Sequence, residues 1–140
     1  IKNNKILMLL RIEHLGIAVE SLETSIPLFE KLLNTPCYKK ERVESEGVNT
    51  AFFKVGPNKI ELLEATHPDS PIAKFLQTKG KGFHHVAFET SNLDYEIERL
   101  VQNGFELIHL SPKPGADGKR IAFLHPKSTE KLLVELCQDQ

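Results

Sequence analysis

Ile12-Glu13-His14-Leu15-Gly16-Ile17-Ala18-Val19 is answered later in the chain by Phe83-His84-His85-Val86-Ala87-Phe88-Glu89, and this pair decides how the sequence is read. Both stretches intersperse apolar residues as a half-buried strand does, and both set a histidine among them. A second pair keeps step with the first. Lys59-Ile60-Glu61-Leu62-Leu63-Glu64 brings Glu61 47 positions after His14, and Lys131-Leu132-Leu133-Val134-Glu135-Leu136 brings Glu135 50 positions after His85. The two copies are offset by 71 residues at the histidines and 74 at the glutamates. An internal repeat of that length predicts two similar units packed together.

Working outward, each copy reads the same way. After the first strand, Leu22, Ile26, Phe29 and Leu33 share one face of a predicted helix over 21–33, and Pro27 sets its regular start near Ser25. Strands are predicted at 36–43, 48–55 and 59–65, with Gly56-Pro57-Asn58 turning the last two into a hairpin. After the second copy's first strand, Asn92 caps a helix whose inner face is Leu93, Ile97, Leu100 and Val101, ended by Asn103-Gly104. Strands then follow at 105–110, 120–124 and 131–137, with Pro112-Lys113-Pro114-Gly115 and Gly118 in the loop between. The expected fold class is α+β, as two repeated βαβββ modules forming curved sheets around a cleft. The modules cover 12–66 and 83–140, joined by a linker over 67–82 with a short helix near 72–77, in one structural domain. Residues 1–11 read as an N-terminal extension without function.

The bulk properties narrow the field. A chain of 140 residues, 40% hydrophobic and 26% charged, supports one globular core. A net charge of −1 gives no field that would draw nucleic acid or an anionic membrane, so neither is expected as a partner. No apolar run approaches the length of a membrane span. Cys37 and Cys137 belong to no Cys-x-x-Cys pair and read as core thiols, which suits a cytoplasmic setting, or a mitochondrial matrix in a eukaryote.

An ionisable group inside an apolar strand needs a partner. His14 or His85 alone reads as a satisfied core histidine. Repeated in both halves with Glu61 and Glu135, the four make a set suited to a divalent cation. Glu64 is expected at solvent or beside the site, while His67, His109 and His125 lack a repeat partner and read as loop residues. Strand alternation points His84 away from any site that His85 faces. Phe52, Phe53, Phe88 and Phe123 read as core.

These stretches, together with Pro68-Asp69-Ser70-Pro71-Ile72-Ala73-Lys74-Phe75-Leu76 and Gly118-Lys119-Arg120-Ile121-Ala122-Phe123-Leu124-His125-Pro126-Lys127-Ser128, carry a resemblance. Over residues 12–138 the chain resembles the vicinal oxygen chelate superfamily, and within it the methylmalonyl-CoA epimerase family. The resemblance implies a metal held by His14, Glu61, His85 and Glu135. It implies interconversion of (R)- and (S)-methylmalonyl-CoA by removal and return of the C2 proton. Co²⁺ is the expected functional ion, with Zn²⁺, Mn²⁺, Mg²⁺ or Ni²⁺ as alternatives, and a homodimer is expected. Two-sided proton transfer calls for an acid and a base. Glu135 at the metal edge is one candidate, and Glu44 or Glu46 the other, since Thr50 stands where some members carry a glutamate. Lys119, Arg120 and Lys127 lie in a stretch with excess positive charge and are candidate contacts for the CoA phosphates.

Other activities fit the same pattern less closely. A glyoxalase I-type lactoylglutathione lyase uses a very similar ligand set. An extradiol dioxygenase would want only one carboxylate. A non-catalytic bleomycin-resistance-type binding protein would do without the quartet.

Overall fold

The structure, a computed structural model, describes residues 9–140. Eight strands form one mixed sheet: β1 (Leu9–Ala18), β2 (Lys39–Val43), β3 (Val48–Val55), β4 (Asn58–Ala65), β5 (Gly82–Thr90), β6 (Lys113–Pro114), β7 (Lys119–Leu124) and β8 (Val134–Asp139). Three helices accompany them: α1 (Leu22–Leu33), α2 (Pro71–Lys79) and α3 (Leu93–Gln102). The strand order is β2-β3-β4-β1-β5-β8-β7-β6, curled into an open half-barrel. In each module the first strand pairs in parallel with the last, β1 with β4 and β5 with β8. The modules meet through the antiparallel pair β1–β5. The repeat therefore becomes one continuous sheet with a near-twofold relation about its centre.

Alternation along the central strands sorts residues between two sides. Leu15, Val86, Phe88, Val134 and Leu136 pack with Leu93, Ile97 and Leu100 of α3. Ile17, Ile60 and Leu62 pack with Leu22, Ile26, Phe29 and Leu33 of α1. The intervening residues His14, Gly16, Glu61, His85 and Glu135 take the other face. Hydrophobic burial beneath α1 and α3 thus forces the ionisable residues of the same strands together on the opposite side.

Several elements differ from the sequence expectation, each for a physical reason. Strand β1 begins at Leu9, so residues 9–11 extend the first module, and residues 1–8 lie outside the described residues. Helix α1 starts at Leu22 and carries Pro27 in its second turn. Its first N–H group, Leu22, donates to Glu64 Oε2 at 2.9 Å, so Glu64 serves the helix start and is not a free surface carboxylate. On α3, Val101 is 51% exposed, and the buried fourth member of that helix is Glu96, 1% exposed beside Arg99. The strand expected at 105–110 shrinks to a single bridge, Leu107 to Leu124. Its place at the sheet edge goes to Lys113–Pro114, which pairs with Ile121 and Arg120. Cys37 and Cys137 are both free thiols, the latter fully buried.

Leu136 is 1% exposed and faces the α3 side of the sheet. Leu136→Ala is expected to destabilise the fold by about 2–5 kcal/mol in urea unfolding; a loss below about 1 kcal/mol would contradict the packing described.

Candidate metal centre and cleft

Four neighbouring strands, β4-β1-β5-β8, each contribute one ionisable side chain to the same face: Glu61, His14, His85 and Glu135. All are buried, between 3% and 6% exposed. The two Nε2 atoms stand 3.0 Å apart. Glu61 Oε1 lies 3.1 Å from His14 Nε2 and 3.7 Å from His85 Nε2, while Glu135 Oε1 lies 3.1 Å from His85 Nε2 and 3.6 Å from His14 Nε2. His14, His85 and Glu135 offer ligand atoms all within 4.8 Å of one another.

These spacings test whether the set suits an ion. Two ligands about 2.1 Å from one ion and at right angles to each other stand about 3.0 Å apart. The observed 3.0–3.7 Å separations match neighbouring positions in one coordination sphere. Two neutral imidazoles and two carboxylates are also a charge set that a divalent cation neutralises. His14, His85 and Glu135 therefore fit a metal, and Glu61 lies at neighbouring distance from both rings. Burial works against a charged Glu135, yet hydrogen bonds from both histidines outweigh it and hold that carboxyl down to about 2.

Register supplies the room. Gly16 faces Glu61 on β4 and His85 on β5, and Ala87 faces His14 on β1 and Glu135 on β8. A Cβ on Gly16 would run into the imidazole of His85. The first module's glycine is thus the seat of the second module's histidine.

Two residues at the site escaped the sequence reading because β-bulges changed their side. Between Ile12/Phe88 and His14/Ala87, strand β1 spends an extra residue, Glu13. Glu13 consequently shares the buried side with His14, and its Oε1 lies 2.6 Å from His14 Nδ1. A carboxylate there fixes the ring with Nε2 turned towards the other ligands. Its second oxygen is 2.6 Å from Lys59 Nζ, which also reaches Asp117 at 2.6 Å, and Asp117 meets Lys39 at 2.8 Å. Burial would raise the Glu13 carboxyl, but His14 and Lys59 hold it at about 2. Burial likewise opposes charge on His14, yet Glu13, Glu135 and Glu61 raise it well above the usual imidazole range. The signal in the sequence was the Glu13-His14 dipeptide itself; the bulge that makes it matter was not visible.

The matching bulge lies on β5, between Gly16/His85 and Ile17/Phe83, where His84 is the extra residue. His84 therefore does not point away from the site as alternation predicts. Its Nδ1 lies 2.9 Å from His85 Nδ1, and its ring meets Phe75 edge-on. Burial and the neighbouring His85 push the His84 imidazole down to about 3.

The centre forms the floor of a cleft with walls that include Val43, Phe52, Leu63, Ile72, Ile121 and Phe123. Of the acid/base candidates, Glu46 lines the cleft from the short 3-10 turn 44–46, next to Gly47 in the left-handed region at φ 66°, and its Oε2 lies 2.7 Å from Lys113 Nζ. Glu44 does not reach the cleft: its side chain is 77% exposed and pairs with Arg42. Thr50 also lines the cleft and donates to Glu41 O at 3.0 Å.

The three proposed phosphate contacts do not come together. Lys119 is buried in the cleft wall beside Asp139, with Glu13 at 3.8 Å. Arg120 faces the other way and pairs with Asp94 of α3 at 3.0 Å. Lys127 pairs with Glu106 at 3.2 Å. His125 caps its own turn by accepting from Lys127 N–H at 3.1 Å.

A paired-module sheet with two histidines and two carboxylates across its central strands defines a class, and the chain belongs to it: the glyoxalase/bleomycin resistance protein/dioxygenase superfamily, whose sequence profile matches residues 13–123. Among its relatives, the uncharacterized protein YqjC of Bacillus subtilis is 41% identical over 128 residues, covering 91% of each chain. The mitochondrial methylmalonyl-CoA epimerase of Homo sapiens is 36% identical over 129 residues, 91% of this chain and 73% of that one. A variant of Streptomyces coelicolor methylmalonyl-CoA epimerase, solved in complex with 2-nitronate-propionyl-CoA, superposes with a TM-score of 0.90 at 33% identity, covering 94% of this chain and 99% of that one. No described helix is long and apolar enough to cross a membrane.

Gly16→Ala is expected to displace the His85 ring and weaken Co²⁺ binding by at least tenfold in calorimetric titration, with the fold destabilised by about 1–3 kcal/mol. Unchanged affinity would show that the ring does not need the seat. Glu13→Gln is expected to lower metal affinity by about 10- to 100-fold. The same variant tests the pH dependence. The Glu13 carboxyl is depressed from 4.5 to about 2, so its contribution to stability is present above 4.5 and lost as pH falls through about 2. The metal-free variant should therefore lose less stability than the parent between those values, measured by unfolding at a series of pH. Parallel curves would remove Glu13 from the network.

Proposed function

We propose that this protein is a metal-dependent epimerase that inverts C2 of methylmalonyl-CoA, or of a closely similar malonyl-type CoA thioester. The observation that carries the reading is the His14, Glu61, His85 and Glu135 set, gathered at ligand spacing on the floor of an apolar-walled cleft. The relatives named above support the substrate class.

The chain's own residues account for the steps. The proton on C2 lies between a thioester carbonyl and a carboxylate, so its loss places negative charge on oxygen. A bound divalent ion, with Co²⁺ as the favoured species, supplies electrostatic stabilisation of that charge. Glu13 locks His14 in one orientation, and His84 does the same for His85, so no reorganisation is asked of the two rings. Glu46 enters the cleft from the turn between β2 and β3, and Glu135 from β8, at separate places on its wall. One carboxylate takes the proton from C2 and the other returns a proton to the opposite face, with the roles exchanged in the reverse direction. Lys113 pairs with Glu46 Oε2 and steadies the carboxylate in the wall. Val43, Phe52, Ile72 and Phe123 keep the reacting carbon out of bulk water, which strengthens each of these interactions.

The deciding experiment is deuterium incorporation at C2 of methylmalonyl-CoA in D₂O, followed by mass spectrometry with EDTA and with Co²⁺ restored. Exchange is expected only with metal, lost in His85→Ala and slowed about 10²- to 10⁴-fold in Glu46→Gln. An absence of exchange in protein that demonstrably binds the ion would sink the epimerase reading, and turnover of methylglyoxal with glutathione would then assign the glyoxalase reaction instead.

A further inference from the structure

Strands β2 and β6 are the two ends of the sheet order, and among the described residues they share no backbone ladder. The half-barrel nevertheless curls until side chains from these two edges meet along the cleft wall, which Glu46, Ala116 and Asp117 all line. Asp117, on the turn that leads from β6 into β7, carries most of the contact. Its Oδ1 lies 2.8 Å from Lys39 Nζ on β2, and its Oδ2 lies 2.6 Å from Lys59 Nζ on β4. Its N–H donates to Glu41 Oε1 on β2 at 2.8 Å. On β6 itself, Lys113 Nζ lies 2.7 Å from Glu46 Oε2.

An apolar contact accompanies the charged ones. Ala116 packs against the cluster that contains Val43 and Val48, the residues on either side of the turn that carries Glu46. Asp117 sits in the left-handed region at φ 60°, which aspartate tolerates better than most side chains do. In that conformation its N–H and its carboxylate both reach β2. Burial opposes charge on Asp117, yet Lys39 and Lys59 hold its carboxyl below the usual range.

The two carboxylates assigned to proton transfer are supported very differently. Glu135 lies inside β8, laddered to β5 on one side and to β7 on the other. Glu46 lies on a three-residue turn after an edge strand whose ladder is to β3. Proton transfer needs a carboxylate within hydrogen-bond reach of its carbon, and about 1 Å of drift costs about a hundredfold in rate. A turn at a sheet edge meets that demand when something holds it from the open side. Lys113, Ala116 and Asp117 all contact it or its strand from there.

We propose that Asp117, together with Lys113, is a positioning residue: the two clasp the open edge of module one to module two and hold Glu46 in place for proton transfer at C2. The role rests on the epimerase reading above, with Glu46 as one of its two proton-transfer groups. When the C2–H bond breaks, its electron pair stays in the enolate and the proton passes to the carboxylate on that face. The proton that forms the new C2–H bond comes from the carboxylate on the other face. With the clasp undone, Glu46 drifts while Glu135 stays, so transfer slows on one face only.

The test is the double variant Lys39→Met with Glu41→Gln, which frees Asp117 from β2 at unchanged net charge and leaves the Asp117–Lys59–Glu13 contacts in place. Each epimer of methylmalonyl-CoA is incubated separately with the Co²⁺-loaded enzyme in D₂O, and C2 deuteration and inversion are followed side by side. In the variant, one epimer is expected to exchange its C2 proton with retention at close to the parent rate, while inversion falls about tenfold or more in both directions. Lys113→Met, which removes the other arm of the clasp, is expected to give the same asymmetry. Co²⁺ titration of both variants is expected to match the parent, and backbone amides over 43–48 to exchange faster in both. An exchange-to-inversion ratio equal to the parent's, or an equal fall in exchange and inversion for both epimers, would overturn the clasp and leave the epimerase reading standing. A parent that exchanges no C2 proton from either epimer overturns the epimerase reading, and the role assigned here to Asp117 falls with it.

Discussion

Everything about the centre depends on how β1 pairs with β5. The two strands run antiparallel, and their register sets His14 opposite Ala87 and His85 opposite Gly16. Each histidine therefore reaches across the seam and over a small residue of the other module. Parallel pairing of β4 with β1 and of β8 with β5 then delivers Glu61 and Glu135 to the outer sides of the same pair. A shift of one residue at the seam would send the ligands into the helix-packed side. The packing under α1 and α3 resists that shift, because Leu15, Ile17, Val86 and Phe88 would have to leave the core together.

Placing so much ionisable chemistry in a buried place has an electrostatic cost, and a chain of charges running outwards from Glu13 offsets it. Glu13 faces His14, Lys59 faces Glu13, and Asp117 joins Lys59 to Lys39. Each member is ion-paired with its neighbour, and exposure increases along the way, from 1% at the Glu13 side chain to 39% at that of Lys39. The network also ties the module-two turn around Asp117 to strands β2 and β4 of module one. The same contacts that set the state of a ligand histidine thus help to hold the two halves in place.

Much of this was legible in the sequence. The doubled spacing picked out all four of the residues that meet on one face of the sheet, since their repeat and apolar setting survive without any structure. The helices on 22–33 and 93–102 followed from their apolar faces, though Val101 turned out of the core and Glu96 into it. Glu13 and His84 were missed because a bulge is one unpaired residue in the register of two strands 71 positions apart, which no local pattern records. The choice between Glu44 and Glu46 was hidden in a 3-10 turn that sends one into the cleft and its neighbour but one into solvent. The segment 105–110 has strand-like composition, yet Leu110 is 97% exposed and only Leu107 bridges. Pairing partners decide strands, and composition does not supply them.

The seat that Gly16 provides for His85 has a consequence for how the two copies can drift. A repeat usually frees its halves to diverge, each under its own local demands. Here an enlargement at position 16 is a fault felt at position 85, in the other copy, and a shift of His85 removes the reason for glycine at 16. Ala87 stands in the corresponding relation to His14. The two copies are therefore heritable only as a matched set, and divergence in one is policed by the geometry of the other.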